Sequence, residues 1–180
     1  MIISGCQRSG TKTAASIFGL THEGQYDTTT SLSNLSFKDD CSWLAAPFMS
    51  AFKSRDIPVI RIVRHPQGVI DSLLAGQFWT SDVATNTLTN GVGADNVPYR
   101  DFIYKYLPAI KNFNCPVLKS MYYWINWNKL LKQVPTILIE SIMYAPHLNK
   151  RPREGSIDIT TYRLWPKVKE LAIEYGYSIP

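Results

Sequence analysis

Two short segments carry residue types and spacings that could do chemistry together. The first, Gly5-Cys-Gln-Arg-Ser-Gly10-Thr-Lys-Thr13, is a run of small and polar residues with one cation inside it, Arg8, and another just past its second glycine, Lys12. Between a strand and a helix, such a loop points several backbone N–H groups at one place. The partial positive charge of the helix N-terminus adds to them, and the small residues let an anion come close to the backbone. The second segment, Arg64-His-Pro-Gln-Gly-Val-Ile-Asp-Ser72, sets a guanidinium at the end of an apolar run and a hydroxyl eight residues later. Both could converge on a single phosphate.

The kind of anion can be narrowed. Gly5 and Gly10 have the spacing of the nucleotide-hydrolase signature G-x-x-x-x-G-K-[ST], but Thr11 stands in the lysine position and the lysine follows one residue late. A nucleoside-triphosphate enzyme also needs a magnesium ligand, commonly an Asp at the end of an apolar strand. Here the strongest apolar run ends in Arg64, which repels a metal ion and attracts a second anionic group. The residues therefore suit a nucleotide with well-separated phosphates and no metal. His22, His65 and His147 have no second His, Cys or Asp at ligand spacing, and His65, next to Pro66, reads as a turn residue.

The elements that must position these groups alternate between strand and helix. Ile2 and Ile3 form a short first strand, and a helix runs from Thr11 to about Phe18. From Thr21 to Asp40 the chain is polar, with loops around short extended pieces. Ser42 reads as the N-cap of a helix burying Leu44, Phe48, Met49 and Phe52. Pro58–Val63 is the best strand, and a helix follows over Gln67–Leu74. Gly76 to Pro98 reads as a long loop of the kind that forms lids or binding segments. Helical patterns return over Tyr99–Ile110, broken at Pro108, and over Val117–Lys132, whose two apolar stripes make it central. Its Tyr122, Tyr123, Trp124 and Trp127 read as core rather than as an acceptor pocket. Thr136–Glu140 is a third strand, and Leu164–Tyr175 a last helix. This order implies a parallel sheet covered on both faces.

Composition sets the frame. The 180 residues, 45% hydrophobic, suit a single domain over 1–180, enough to bury roughly 70% of the unfolded surface. A net charge of +5 favours anionic partners but lacks the dense basic arms of a nucleic-acid binder, so no nucleic-acid partner is expected. Three widely spaced cysteines fit neither a disulfide framework nor a metal site and suit a reducing compartment. No signal peptide or membrane-spanning run is legible, so a soluble, cytoplasmic protein is expected.

With these residues in place, a resemblance is specific. Arg8-Ser-Gly-Thr11 after one strand, together with Arg64 to Ser72 after another, resembles the two cofactor signatures of the sulfotransferase superfamily. Tyr123-Trp-Ile-Asn-Trp-Asn128 and the strand ending Ile139-Glu140 are similar to that superfamily's central helix and the strand after it. The match touches most of the chain from Met1 to about Glu140. It implies a three-layer P-loop-type α/β fold, with a mostly parallel central sheet flanked by helices. It also implies a sulfotransferase with 3′-phosphoadenosine 5′-phosphosulfate (PAPS) as donor, adenosine 3′,5′-bisphosphate (PAP) as product and no metal. By position, Arg8, Ser9, Gly10, Thr11 and Lys12 match the loop that holds the 5′-phosphosulfate, and Arg64 and Ser72 the pair that holds the 3′-phosphate. Thr13, counted in the cofactor-binding set, stands where the cytosolic branch has an adenine-stacking aromatic, and Arg8 looks more like the Golgi and bacterial branches. Arg151-Pro-Arg-Glu-Gly155 loosely echoes a C-terminal cofactor clamp, which adds Arg153 to the cofactor-binding set.

Sulfuryl transfer needs in-line geometry, cations on the transferring group and a base for the acceptor hydroxyl or amine. Arg8 and Lys12 are the expected charge stabilisers. Thr21-His22-Glu23 resembles a His-Glu that follows the first helix in bacterial members, and Ser42-Trp43 a Ser-Trp that comes after it. A helix to Phe18 carries the chain roughly 12 Å from the loop, and the extended return to Glu23 spans roughly 16 Å. Glu23 can reach and is the expected base, with Asp27 and His22 in reserve; in a strand His22 points to the opposite face. Two other readings remain: a small-molecule or nucleotide kinase using ATP and magnesium through Lys12 and Glu140, and a nucleotide-binding module without catalysis. The short chain leaves room for a cofactor half and an open, loop-built acceptor site.

Overall fold

The structure is a computed structural model, and it describes residues 1–82, 95–142 and 156–179. Four parallel strands form one sheet in the order β2-β1-β3-β4: β1 (Ile2–Gly5), β2 (Asp40–Cys41), β3 (Val59–Val63) and β4 (Thr136–Leu138). Helices cover both faces, giving the expected three-layer α/β architecture. β1 connects through α1 (Thr11–Phe18) to β2 on one side, and β3 pairs with β1 on the other. The order therefore reverses at β1, and in open α/β sheets the crevice at such a reversal, outside the strands' C-terminal ends, is where ligands bind.

Alternation along the strands sorts the core into two layers. Ile3 and Ile62 face α1 and pack with Ala14, Ala15 and Cys41; Ile139, from the helical turn α6 (Ile139–Ile142), joins them. Ile2, Val59 and Val63 face the larger layer. That layer holds α2 (Met49–Lys53), α3 (Pro66–Ala75), α4 (Val97–Tyr106), α5 (Pro116–Leu130) and α7 (Trp165–Glu174). At its centre α5 buries Met121, Tyr123, Trp124, Ile125 and Trp127, so the aromatic cluster is core, apart from half-buried Tyr122.

Three expectations need correction. Ser42 does cap a helix, its Oγ accepting from the Leu44 N–H at 3.1 Å, but the first six residues, Trp43–Phe48, wind as a 3-10 helix containing Pro47. Proline cannot donate to an α-helical ladder, which explains the tighter first turns. Asp40–Cys41 is a strand with too few residues to show any periodicity. The strand read over Thr136–Glu140 ends at Leu138, and Glu140 lies in α6, because an unbroken apolar run marks no boundary between strand and helix. Finally, α4 starts at Val97, inside the segment read as a loop, and stops at Tyr106 before a 3-10 turn, Pro108–Asn112. Residues 83–94 of that segment lie outside the described residues, as do His147 and the basic stretch 149–155 with Arg151 and Arg153.

Among the described residues no helix is long and apolar enough to cross a membrane. Cys6 and Cys41 are buried free thiols, Cys115 is a half-buried one, and burial pushes the Cys41 thiol up to about 12.

Candidate functional site

The C-terminal ends of β1, β2 and β3 open into a cleft of about 400 Å³. Arg8, Gly10, Thr11 and Lys12 line it from the loop and the start of α1, Arg64 from the end of β3, and Ser72 from α3. His22 and Glu23 enter from the segment between α1 and β2, Trp43 from beyond β2, and Gln7 and Tyr99 complete the wall. The volume lies within the ~300–1,000 Å³ range of small-molecule sites.

Close packing fixes the loop's glycines. A Cβ at Gly5 would stand 2.2 Å from the Ile62 carbonyl oxygen, and one at Gly10 2.7 Å from Ile139 Cγ1. Gly10 also has φ 92°, the left-handed conformation that glycine adopts without strain, and turns the chain into α1. The N–H groups at the start of that first helical turn have no partner within the helix, and Gly10, Thr11 and Lys12 line the cleft there. Arg8 holds φ 69° without glycine's freedom, and its Nη2 lies beside Gly76 at the end of α3.

One helix braces all three strand ends. From α5, the Tyr123 hydroxyl accepts from the Gln7 N–H at 2.8 Å, Trp124 Nε1 donates to the Arg64 carbonyl at 3.2 Å, and Trp127 Nε1 donates to the Trp43 carbonyl at 3.2 Å. The buried aromatics thus hold the backbone under Gln7, Arg64 and Trp43. Buried aromatics with a polar tip are apt for this, since the tip must find a partner.

The second cationic segment behaves as a unit. His65 caps α3, its Nδ1 accepting from Gln67 N–H at 3.3 Å, with Pro66 at the first helical position. Arg64 Nη1 donates to the Arg8 carbonyl at 3.2 Å, tying strand end to loop. Ser72 has a glycine one turn away on each side, and each glycine seats an arginine. A Cβ at Gly68 would lie 2.9 Å from Arg64 Nε, and one at Gly76 3.3 Å from Arg8 Nη2. The two guanidiniums therefore flank the Ser72 hydroxyl along one face of α3.

On the far wall, Thr11 Oγ1 and His22 Nε2 are 3.2 Å apart, and His22 Nε2 is 3.6 Å from Glu23 Oε1. Both His22 and Glu23 reach the cleft, contrary to strand alternation, because Glu23 has φ 54° and breaks the extended run. Burial raises the Glu23 carboxyl above its ordinary value; the His22 imidazole opposes this, the Asp40 carboxylate adds to it, and a hydrogen bond from Trp43 and the Arg8 charge pull it back. Asp40, which sequence reasoning gave no role, is buried and accepts from Thr21 Oγ1 at 2.7 Å, Gly24 N–H at 3.3 Å and Gln25 N–H at 3.1 Å. It pins the turn that presents Glu23.

Other expected site residues lie elsewhere. Ser9 is buried with its Oγ donating to the Cys6 carbonyl, so it shapes the loop from beneath. Thr13 stands on α1 away from the cleft lining. Asp27 is exposed and accepts from the N–H and hydroxyl of Thr29 at 2.8 and 2.6 Å, a local turn that lowers its pKa and leaves it off the cleft. Arg153 lies outside the described residues. Glu140 is not a cleft residue: its Oε1 accepts from His65 N–H at 2.9 Å and its Oε2 from the Tyr177 hydroxyl at 2.7 Å. Among the described residues, no group of three His, Cys, Asp or Glu side chains is arranged to hold a metal ion.

Comparison of the chain with protein-family models, with curated proteins and with solved structures found no match.

Proposed function

We propose that the chain is a sulfotransferase that moves a sulfuryl group from PAPS to a hydroxyl or amine acceptor by in-line transfer. The observation that carries this reading is the convergence of Arg8, Thr11, Lys12, Arg64, Ser72 and Glu23, from three separate segments, on one cleft. Three cations facing one carboxylate suit a ligand with two anionic groups. The glycine loop supplies backbone N–H donors for one group and the α3 face supplies Ser72 for the other.

The donor brings the sulfuryl group: its S–O bond to phosphate breaks as the acceptor oxygen or nitrogen bonds to sulfur, and PAP leaves. In this reading Lys12 and the first-turn N–H groups of α1 stabilise charge on the transferring and leaving groups, where fixed donors are effective. Arg64 and Ser72 hold the 3′-phosphate. Glu23 takes the acceptor proton, its raised pKa bringing it closer to the working pH that general-base catalysis favours. Thr11 and His22 fix that wall through the 3.2 Å contact. The buried free thiols support a reducing, cytoplasmic setting.

Calorimetric titration tests this. Micromolar or tighter binding of PAP in the presence of a chelator is expected; binding only of ATP, and only with magnesium, contradicts it and returns the kinase reading. Labelled PAPS with an acceptor library then separates an enzyme from a binding module.

A further inference from the structure

Arg8 sits in the glycine loop, and its guanidinium reaches the end of α3. A methyl at Gly76 would stand 3.3 Å from Arg8 Nη2 and 3.3 Å from the Ser72 carbonyl oxygen, which places the guanidinium within a methyl's width of the last turn of α3. Arg64 reaches the same helix face one turn on the other side of Ser72, over Gly68. Its Nη1 also donates to the Arg8 carbonyl at 3.2 Å, so the two arginines are held in one unit. The cleft's cations are thus divided: two guanidiniums and a hydroxyl along α3, and the Lys12 ammonium with the N-terminus of α1.

We propose that Arg8 serves the same phosphate as Arg64 and Ser72, and so sets the preference for a nucleotide bearing a 3′-phosphate. The proposal rests on the sulfotransferase reading for the identity of the ligand and departs from the loop position of Arg8, which assigns it to the 5′-phosphosulfate. A phosphate monoester carries close to two negative charges at neutral pH and three acceptor oxygens. Two guanidinium forks match that charge and can each approach it with paired N–H groups, whereas a single arginine leaves about one charge uncompensated. Gly68 and Gly76 leave room for the arrangement: a Cβ at Gly68 would stand 2.9 Å from Arg64 Nε and one at Gly76 3.3 Å from Arg8 Nη2, so a side chain at either position crowds a guanidinium.

The test compares PAP with adenosine 5′-monophosphate, which differs only in lacking the 3′-phosphate, by calorimetry on the wild-type chain, Arg8→Ala, Gly76→Leu and Lys12→Ala. Thermal melts confirm folding; Arg8 is exposed, and its carbonyl, the acceptor for Arg64, survives the substitution. The wild type is expected to prefer PAP. Arg8→Ala should weaken PAP binding by roughly 10- to 100-fold and leave the monophosphate within about threefold, so that the preference collapses. Gly76→Leu, which keeps Arg8 but takes its seat, should reproduce that loss. Lys12→Ala should weaken both ligands alike. Equal losses for PAP and the monophosphate in Arg8→Ala, or an undiminished preference in both Arg8→Ala and Gly76→Leu, overturns the assignment while leaving the sulfotransferase reading intact. A wild-type chain that shows no preference for PAP overturns both.

Discussion

Two arginines three residues apart, one inside β3 and one just past its end, have opposite fates. Arg61 is buried in the middle of the strand. Its Nη1 donates to the Asn128 and Leu131 carbonyls at 3.3 and 3.2 Å and to the Tyr175 hydroxyl at 3.1 Å, and its Nε donates to Thr136 Oγ1 at 3.0 Å. Its guanidinium lies 4.1 Å from the centre of the Tyr175 ring, so a single side chain staples β3, β4, the end of α5 and α7. No carboxylate stands at ion-pair distance from it among the described residues, and burial lowers its pKa. Arg64 ends the same strand, over a glycine, in an open cleft with Arg8, Lys12 and Ser72. Residue type is therefore a poor guide to role on its own. An arginine whose donors are taken up by carbonyls and hydroxyls inside the fold is architecture, whereas one set at the strand end lines the switch-point crevice, where ligands of such sheets bind.

The difference can be broken or sharpened by substitution. The largest effect is expected at the cleft wall: Glu23→Gln should lower turnover by about 10²- to 10⁴-fold with PAP affinity retained. Because burial raises the Glu23 carboxyl, the wild-type kcat/KM should rise with pH along an acid limb whose midpoint lies above the ordinary value of about 4.3. Near-normal turnover in the variant removes Glu23 as base.

Next comes Arg61→Met, which strands the Asn128 and Leu131 carbonyls. It should cost about 3 kcal/mol, a fall in Tm of about 6–12 °C, while the folded protein still binds PAP. A melt within about 2 °C of wild type would show that the staple is not structural. Gly68→Ala brings a Cβ to 2.9 Å from Arg64 Nε and should weaken PAP binding by about tenfold with no loss of α3. Unchanged affinity would place the Arg64 guanidinium's working position away from α3.

The smallest expected effect is electrostatic. A carboxyl whose folded pKa is raised destabilises the fold once ionised: its contribution is present below the unfolded pKa and is lost as pH climbs through the raised folded value. Glu23→Gln should therefore melt slightly above wild type at pH 7, and the gap should narrow toward pH 4 in thermal scans. A gap independent of pH would mean that Glu23 is not desolvated in solution.

What the sequence revealed follows from the range of each signal. The loop at Gly5–Thr13 and the pair Arg64 and Ser72 are local patterns attached to clear elements, and the fold places them together as their spacing suggests. Longer-range signals were silent. Nothing in a two-residue strand announces Asp40, whose partners lie 15 to 19 residues earlier. Arg61 looks like any residue of a β-branched run until Asn128, Leu131 and Tyr175 arrive from 67 to 114 residues away. Gly68 and Gly76 are unremarkable in the sequence, and only the helical phase that sets them on either side of Ser72 gives them a role. The loop position of Arg8 likewise says nothing of its direction: the residue takes a backbone φ of 69°, and its Nη2 lies near Gly76.

The most direct test of the account is PAP titration of the wild type and Arg64→Ala by calorimetry in the presence of a chelator, with both proteins checked by thermal melting. The expected result is metal-independent binding by the wild type and a loss of roughly 30- to 100-fold in Arg64→Ala, with Tm moving by no more than about 3 °C. Equal binding by the two proteins, or nucleotide binding that requires magnesium, would contradict it.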